Sequence, residues 1–297
     1  HSIRRRQRQM CIRDRATYDD FDGVFFTIQA LRMYHDLCNT KSVEYVVLDT
    51  NPEKEHGKQV KSFVTKATDG LGRYIPKTSG NISSFNKYEI AEHASGKYVL
   101  IVDCHVLIQK NGINALLEYY KNNPDCKNLV QGPLLYDDLH NISTHFNKKW
   151  SGDMYGTWGT NREMYDKGEP FEIEMNGMGL CSFERKNWPG ISNKFTGFGA
   201  EEGYIAEKFR QSGGKNICLP QLGWNHRFGR PSGVKYKLTL EDRVWNYLIG
   251  WLELTQDADH DMIKQITDYF KPKLPSGVFD KLLKSAVAET GVDRCII

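Results

Sequence analysis

Val99-Leu-Ile-Val-Asp103-Cys-His105 decides how this chain is read: four apolar residues run straight into an acid and an imidazole. A short apolar run of this kind reads as a strand buried on both faces, and such strands belong to sheets covered by helices. Side chains two apart in a strand share a face, so Asp103 and His105 can reach one cation. Open α/β sheets take their ligands at the carboxyl ends of their strands, where this pair stands. Asp-x-His alone is a common string whose plainer reading is a strand-end turn, so its neighbours must carry the argument.

Upstream, Val43-Glu-Tyr-Val-Val-Leu48 is a second β-branched run, closed by Asp49 and broken by Asn51-Pro52. Asp49 there either accepts a hydrogen bond from a base or ribose hydroxyl or closes an Asx turn. Val24, Ile28 and Leu31 fall at helical spacing, and residues 84–94 read as a helix stopped by Gly96. Residues 97–102 form the strand before Asp103, Ile113, Leu116, Leu117 and Tyr120 mark another helix, and residues 128–135 read as a strand. Residues 136–174 are polar, aromatic and without period, which predicts a long functional loop. Strand character returns at 178–183 and 216–219, with a helix over 202–211 between them. This alternation predicts an α/β fold, a mainly parallel sheet flanked by helices, over residues 16–231. Thr239-Leu-Glu-Asp242 then opens a helical C-terminal extension, residues 232–297.

The chain has 297 residues, 39% hydrophobic and 26% charged, which excludes disordered, collagen-like and coiled-coil classes. No apolar run approaches the roughly 20 residues of a membrane-spanning helix. The seven cysteines are scattered without the paired spacing of zinc or redox motifs, which fits a reducing, cytoplasmic compartment. Residues 1–15, HSIRRRQRQMCIRDR, look like a translated adapter, not native protein. The first native strand is therefore expected to be missing or replaced. Without that segment's net +5, the formal charge of +3 becomes −2, so the balance gives no signal for nucleic acid, a DNA-base acceptor included.

Two further clusters can do chemistry. In Phe195-Thr-Gly-Phe198-Gly-Ala-Glu201-Glu202, glycines admit close approach by a ligand and two carboxylates begin a helix. One of them can serve as a general base, its pKa raised by the other; the plainer reading is complementing the helix dipole. In Gly223-Trp224-Asn-His226-Arg227-Phe228-Gly-Arg230, His226 can complete a coordination sphere with Asp103 and His105. Arg227 and Arg230 can oppose phosphate charge, and Trp224 or Phe228 can pack on a sugar or base. A lone histidine is usually structural, but this one sits in ligand-like company.

Taken in order, these clusters resemble metal-dependent glycosyltransferases of the GT-A fold, chiefly the family 2 group and also the polypeptide N-acetylgalactosaminyltransferases. The resemblance covers residues 16–231. Asp103-Cys104-His105 is similar to their Asp-x-Asp element in its Asp-x-His form, and Trp-Asn-His226-Arg-Phe to the element holding the third metal ligand. Thr17, Tyr18 and Asp19 resemble the turn that meets the nucleotide, and Asp49 falls where relatives hold the uridine. Gly199-Ala-Glu201-Glu202 resembles both the Gly-Gly-Glu-Asn string of the second group and the Glu-Asp motif of family 2. The family 2 alignment makes Glu202 the base of an inverting reaction, with a Glu where Asp is usual; the other alignment implies retention of configuration, and inversion is the expectation.

The resemblance implies a hexosyl- or N-acetylhexosaminyltransferase moving a sugar from a nucleoside diphosphate, UDP by preference, to an acceptor hydroxyl. Mn²⁺, or Mg²⁺, would sit on Asp103, His105 and His226, and Arg227 and Arg230 would steady the departing diphosphate. Trp158, Trp224 and Phe198 are the candidates on the acceptor side, with His145, Trp150 and Asp153 in the same stretch; the acceptor is expected to be a glycan, lipid-linked or other alcohol. Two rivals stand beside this reading: a nucleotidyltransferase on a similar sheet, and a non-catalytic module that binds sugar nucleotides.

Overall fold

The structure, a computed structural model, describes residues 10–79, 82–229 and 238–292, with residues 10–16 described as backbone alone. Its first half alternates: β1 (Met10–Thr17), α1 (Phe21–Tyr34), β2 (Val43–Asp49), α2 (Glu55–Lys66), β3 (Gly72–Pro76), α3 (Asn86–His93) and β4 (Tyr98–Val102). The apolar runs explain the strands, since every position of β2 is buried. In α1 the buried positions include Val24, Ile28 and Leu31, and Asp20 caps the helix by accepting from the Gly23 backbone N–H.

After β4 the chain forms β5 (Val106–Ile108), α4 (Gly112–Asn122), β6 (Leu129–Gln131), β7 (Leu134–Leu135) and β8 (Ile142–Ser143). The run expected as one strand over 128–135 is thus two, split at Gly132-Pro133, where proline has no N–H for a ladder. Next come β9 (His145–Ser151), β10 (Met154–Gly159), α5 (Arg162–Lys167), β11 (Phe171–Glu172), β12 (Leu180–Glu184), α6 (Glu201–Gln211), β13 (Asn216–Cys218) and β14 (Trp224–His226). The C-terminal helices are α7 (Leu240–Thr255), α8 (Asp261–Phe270) and α9 (Val278–Thr290).

The large sheet runs β11-β13-β6-β12-β4-β1-β2-β3, and a small one runs β5-β14-β7-β8. β1 is parallel to β2 and β4, and β2 to β3, so their carboxyl ends share one edge. β12 runs antiparallel to β4 and β6, which makes the sheet mixed. The first strand is filled, not missing: Met10 lies opposite Val43 on one side and Tyr98 on the other. Its sequence differs from its neighbours', with Arg13, Asp14 and Arg15 in succession between two apolar strands.

Residues 136–174 are not an irregular loop. β9 and β10 form an antiparallel hairpin, and it packs on the C-terminal helices. Trp150 lies 4.8 Å from Tyr155, 4.9 Å from Tyr247 and 5.3 Å from Phe270, ring centre to ring centre, and its indole N–H donates to Gln265. Phe183 of β12, Phe209 of α6 and Tyr247, Leu252 and Phe270 of the extension belong to one apolar core. Among the described residues no helix is long and apolar enough to cross a membrane. Because Trp150 joins hairpin to extension, Trp150→Ala is expected to cost about 2–4 kcal/mol of folding free energy, read as a lower urea midpoint with unchanged slope.

Candidate metal and donor site

β4 ends at Val102, and the Asp103 backbone N–H donates to Gly179 O at 2.9 Å. The chain turns through Cys104 and His105 and enters the small sheet as β5, where Val106 lies opposite His226 of β14. The Arg227 backbone N–H donates to His105 O at 3.0 Å and extends that pairing to the histidines. One register therefore brings together residues more than a hundred positions apart.

His105 Nε2 and His226 Nε2 are 3.0 Å apart, and His226 Nε2 lies 3.6 Å from Asp103 Oδ2. Two nitrogens each about 2.1 Å from one cation, at roughly right angles, lie about 3.0 Å apart. One carboxylate and two imidazoles make a donor set that suits Mn²⁺ better than Mg²⁺. The residues therefore fit a divalent cation. Cys104 O stands where α1 docks: a Cβ on Gly23 would come within 2.2 Å of it, so only glycine admits the helix this close.

Two residues that sequence reasoning missed complete the surroundings. Asp20, the cap of α1, also places Oδ2 3.3 Å from His105 Nδ1. A carboxylate there holds the Nδ1 proton and leaves Nε2 facing His226, the usual support of a metal-ligating histidine. Burial alone would raise the Asp20 carboxyl; hydrogen bonds from His105, Gly23 and Cys104 instead hold it well below the usual range. An acid just before a helical run is an N-cap signal, so this residue was within reach of the sequence.

Lys87, in the first turn of α3, carried no such signal. Its ammonium lies 3.5 Å from Asp103 Oδ1 and 3.6 Å from Glu201 Oε1, and donates to Met178 O at 3.1 Å. Burial would lower its pKa, but the charges of Asp103 and Glu201 keep it above the usual lysine range. Burial would raise the Asp103 carboxyl, but the charge of Lys87, the His226 hydrogen bond and the charges of the two histidines together hold it well below the carboxylate range.

Glu201 and Glu202 open α6, after Ala200 in a left-handed conformation with φ of 83°. Gly197 and Gly199 also have positive φ, 58° and 91°, so this turn depends on its glycines. The turn is held from the extension: the Asn246 side chain donates to Thr196 O and Gly199 O and accepts from the Thr196 N–H. Both glutamates are buried, and each keeps one oxygen with no hydrogen-bond partner among the described residues. Burial, then the charge of Glu201, pushes Glu202 up to about 8 against Lys87 and Arg243.

Thr17 and Asp49 lie opposite each other at the ends of β1 and β2, and both are buried. Asp49 Oδ1 accepts from the Asn51 N–H and Oδ2 from the Tyr74 hydroxyl, each at 2.8 Å, so the Asx turn is present. Tyr18 is exposed, and Asp19 has φ of 57° with its carbonyl 2.9 Å from His56 Nδ1. Arg227 is exposed beside the histidines; Arg230 lies outside the described residues.

On the acceptor side, Trp224 must be corrected: it is 1% exposed and donates its indole N–H to Gly132 O at 2.8 Å, which makes it core. The exposed aromatic beside the cluster is Phe228, 58% exposed with its ring centre 4.2 Å from that of His226. Trp158 is half-buried against Phe146, and Phe198 half-buried in the glycine turn. His145 is held between Thr144 and Asn147, and Asp153 pairs with Lys273 of the extension.

The fold and this edge are those of a GT-A glycosyltransferase. The profile of glycosyl transferase family 2 matches residues 26–182, and the chain belongs to that family. No curated protein sequence matches it. Among solved structures it is similar to GalNAc-T7 with UDP, GalNAc and Mn²⁺, at 16% identity and a TM-score of 0.68, covering 96% of this chain and 55% of that one. The chain thus spans about half the length of that neighbour. A mannosyltransferase from Pyrobaculum calidifontis with GDP-Man and Mn²⁺ follows at 14% identity and TM-score 0.54, covering 96% of this chain and 75% of that one. S. aureus TarS 1-349 gives 12% identity and TM-score 0.58, covering 95% and 83%.

Asp20→Asn removes the charge that fixes the His105 ring. It is expected to weaken Mn²⁺ binding about 10- to 100-fold, measured by calorimetry, with little change in thermal midpoint.

Proposed function

We propose that this glycosyltransferase moves a hexosyl or N-acetylhexosaminyl group from a UDP-sugar to an acceptor hydroxyl with inversion, using Mn²⁺ held by Asp103, His105 and His226. The observation that carries this reading is the 3.0 Å approach of the two imidazole Nε2 atoms beside Asp103. Similar structures that hold UDP and Mn²⁺, or GDP-Man and Mn²⁺, support the donor and cation classes. Family membership sets the nucleotidyltransferase aside, and the unpartnered oxygens of Glu201 and Glu202 favour turnover over bare binding.

When bound, the cation neutralises charge gathering on the departing diphosphate. Arg227 and Arg230 are proposed to add cationic donors on the same side. Thr17, Tyr18, Asp19 and Asp49 are proposed to hold the nucleoside at the ends of β1 and β2. Lys87 and Glu201, an ammonium and a carboxylate 3.6 Å apart next to Asp103, offer a donor and an acceptor to sugar hydroxyls. Beside that pair, Glu202 is the carboxylate whose proton is held into the neutral range by burial and the charge of Glu201. Glu202 takes the proton of the acceptor alcohol as it attacks the anomeric carbon. Trp158, Phe198 and Phe228 are proposed to border the acceptor. Residues 1–15 are proposed to be foreign to the native domain.

Asp103→Ala is expected to abolish Mn²⁺-dependent transfer and weaken UDP-sugar binding; undiminished, chelator-insensitive transfer would overturn the metal reading. Glu202→Gln is expected to lower kcat by about 10²- to 10⁴-fold while donor binding persists, and NMR of the product should show the inverted anomer. In the parent, kcat/KM should rise with pH through about 8 as Glu202 loses its proton. Folding stability should fall between about 4.5 and about 8, because the folded chain binds that proton more tightly than the unfolded one; Glu202→Gln should flatten both profiles.

A further inference from the structure

A second set of ligand atoms lies on the other side of the His105 ring. Cys104 Sγ is 3.3 Å from Asp20 Oδ2 and 3.5 Å from His105 Nδ1, and Asp20 Oδ2 is 3.3 Å from the same nitrogen. A thiol, an imidazole and a carboxylate whose ligand atoms all lie within 4.8 Å of one another form a set that soft and borderline cations favour. The set is also held in place. Asp20 Oδ1 is fixed by the Gly23 N–H at 3.0 Å, and Cys104 is pinned by the close packing of its carbonyl on Gly23.

We propose that Asp20, Cys104 and His105 form an inhibitory site for a thiophilic divalent cation such as Zn²⁺ or Cd²⁺, exclusive of cation binding at Asp103, His105 and His226. This rests on reading the latter three as the hard-cation site. Exclusion follows from the ring they share. A neutral imidazole has one lone pair and one proton, so it serves a cation at Nδ1 or at Nε2, not at both. A cation at the thiol side takes the Nδ1 lone pair, and the Cys104 thiol gives its proton to water as the sulfur binds. The imidazole proton then sits on Nε2, 3.0 Å from His226 Nε2, and donates to it. That hydrogen bond consumes both nitrogens needed on the other side. Mn²⁺, a poor partner for sulfur, selects the Asp103 side instead. The central residue of Asp-x-His thereby decides whether the site is open to poisoning by soft metals.

The test is a Cd²⁺ titration of the full chain, followed by the ultraviolet charge-transfer band of a Cd²⁺–thiolate bond. The band is expected to appear in the parent, Cys126→Ser and Asp103→Asn chains and to vanish in Cys104→Ser. Cys104→Ser should keep the parent's affinity for Mn²⁺, which shows that losing the band is not losing the fold. Mn²⁺ at about ten times its own dissociation constant should raise the Cd²⁺ needed for half-saturation about tenfold in the parent, and leave it unchanged in Asp103→Asn. No band, or a band that survives in Cys104→Ser, overturns the site. A band indifferent to Mn²⁺ in a chain that binds Mn²⁺ overturns the exclusion. A thiolate band in a chain that binds no Mn²⁺ overturns the hard-cation reading and the exclusion with it, and leaves the thiophilic site standing.

Discussion

The antiparallel pairing of β5 with β14 is the constraint on which the rest depends. It sets Val106 opposite His226, and so sets His226 against His105 and Asp103. Strand periodicity makes this exacting, since a slip of one residue would turn His226 to the opposite face. Trp224 fixes the register: two residues before His226 and on its face, it fills the core and spends its N–H on Gly132 O. The residue that looked like a sugar platform is the anchor that aims the ligand.

Charge is arranged around that register as tightly as the backbone. Asp103 faces Lys87 on one side and His226 on the other, and Lys87 faces Glu201 in turn. Burying one of these groups alone would cost several kcal/mol or drive it neutral. Set against each other, Lys87 is held above and Asp103 below its usual range, and Glu202 is pushed up by burial with Glu201's charge beside it. Burial and the neighbouring acid thereby set Glu202 apart from an ordinary surface carboxylate.

What the sequence disclosed and what it hid divide along a physical line. Asp103, His105 and His226 were legible because their signals are local: an apolar run marks the strand end that carries the first two, and His226 stands among two arginines and two aromatics. The α/β alternation was legible for the same reason. Lys87 was not, because a lysine on a helix reads as solvated until the fold closes two acids over it. The β9–β10 hairpin was missed because Trp150 and Tyr155 point at helices almost a hundred residues downstream, so no local alternation betrays it. Trp224 was misread because burial is tertiary and its neighbours in sequence are polar. Asn246 sits in a helix that looked like an appendage, and nothing nearby in sequence shows that its amide clasps the turn before the two acids.

That clasp ties two segments together. A side chain from α7 supplies both donor and acceptor to a turn that also leans on Ser84, whose N–H and hydroxyl both donate to Gly197 O. Recombination that exchanged the C-terminal helices for another module would deliver the acids on a backbone that had lost the amide holding residues 196 and 199. Residues 196–199 and position 246 therefore act as one structural unit.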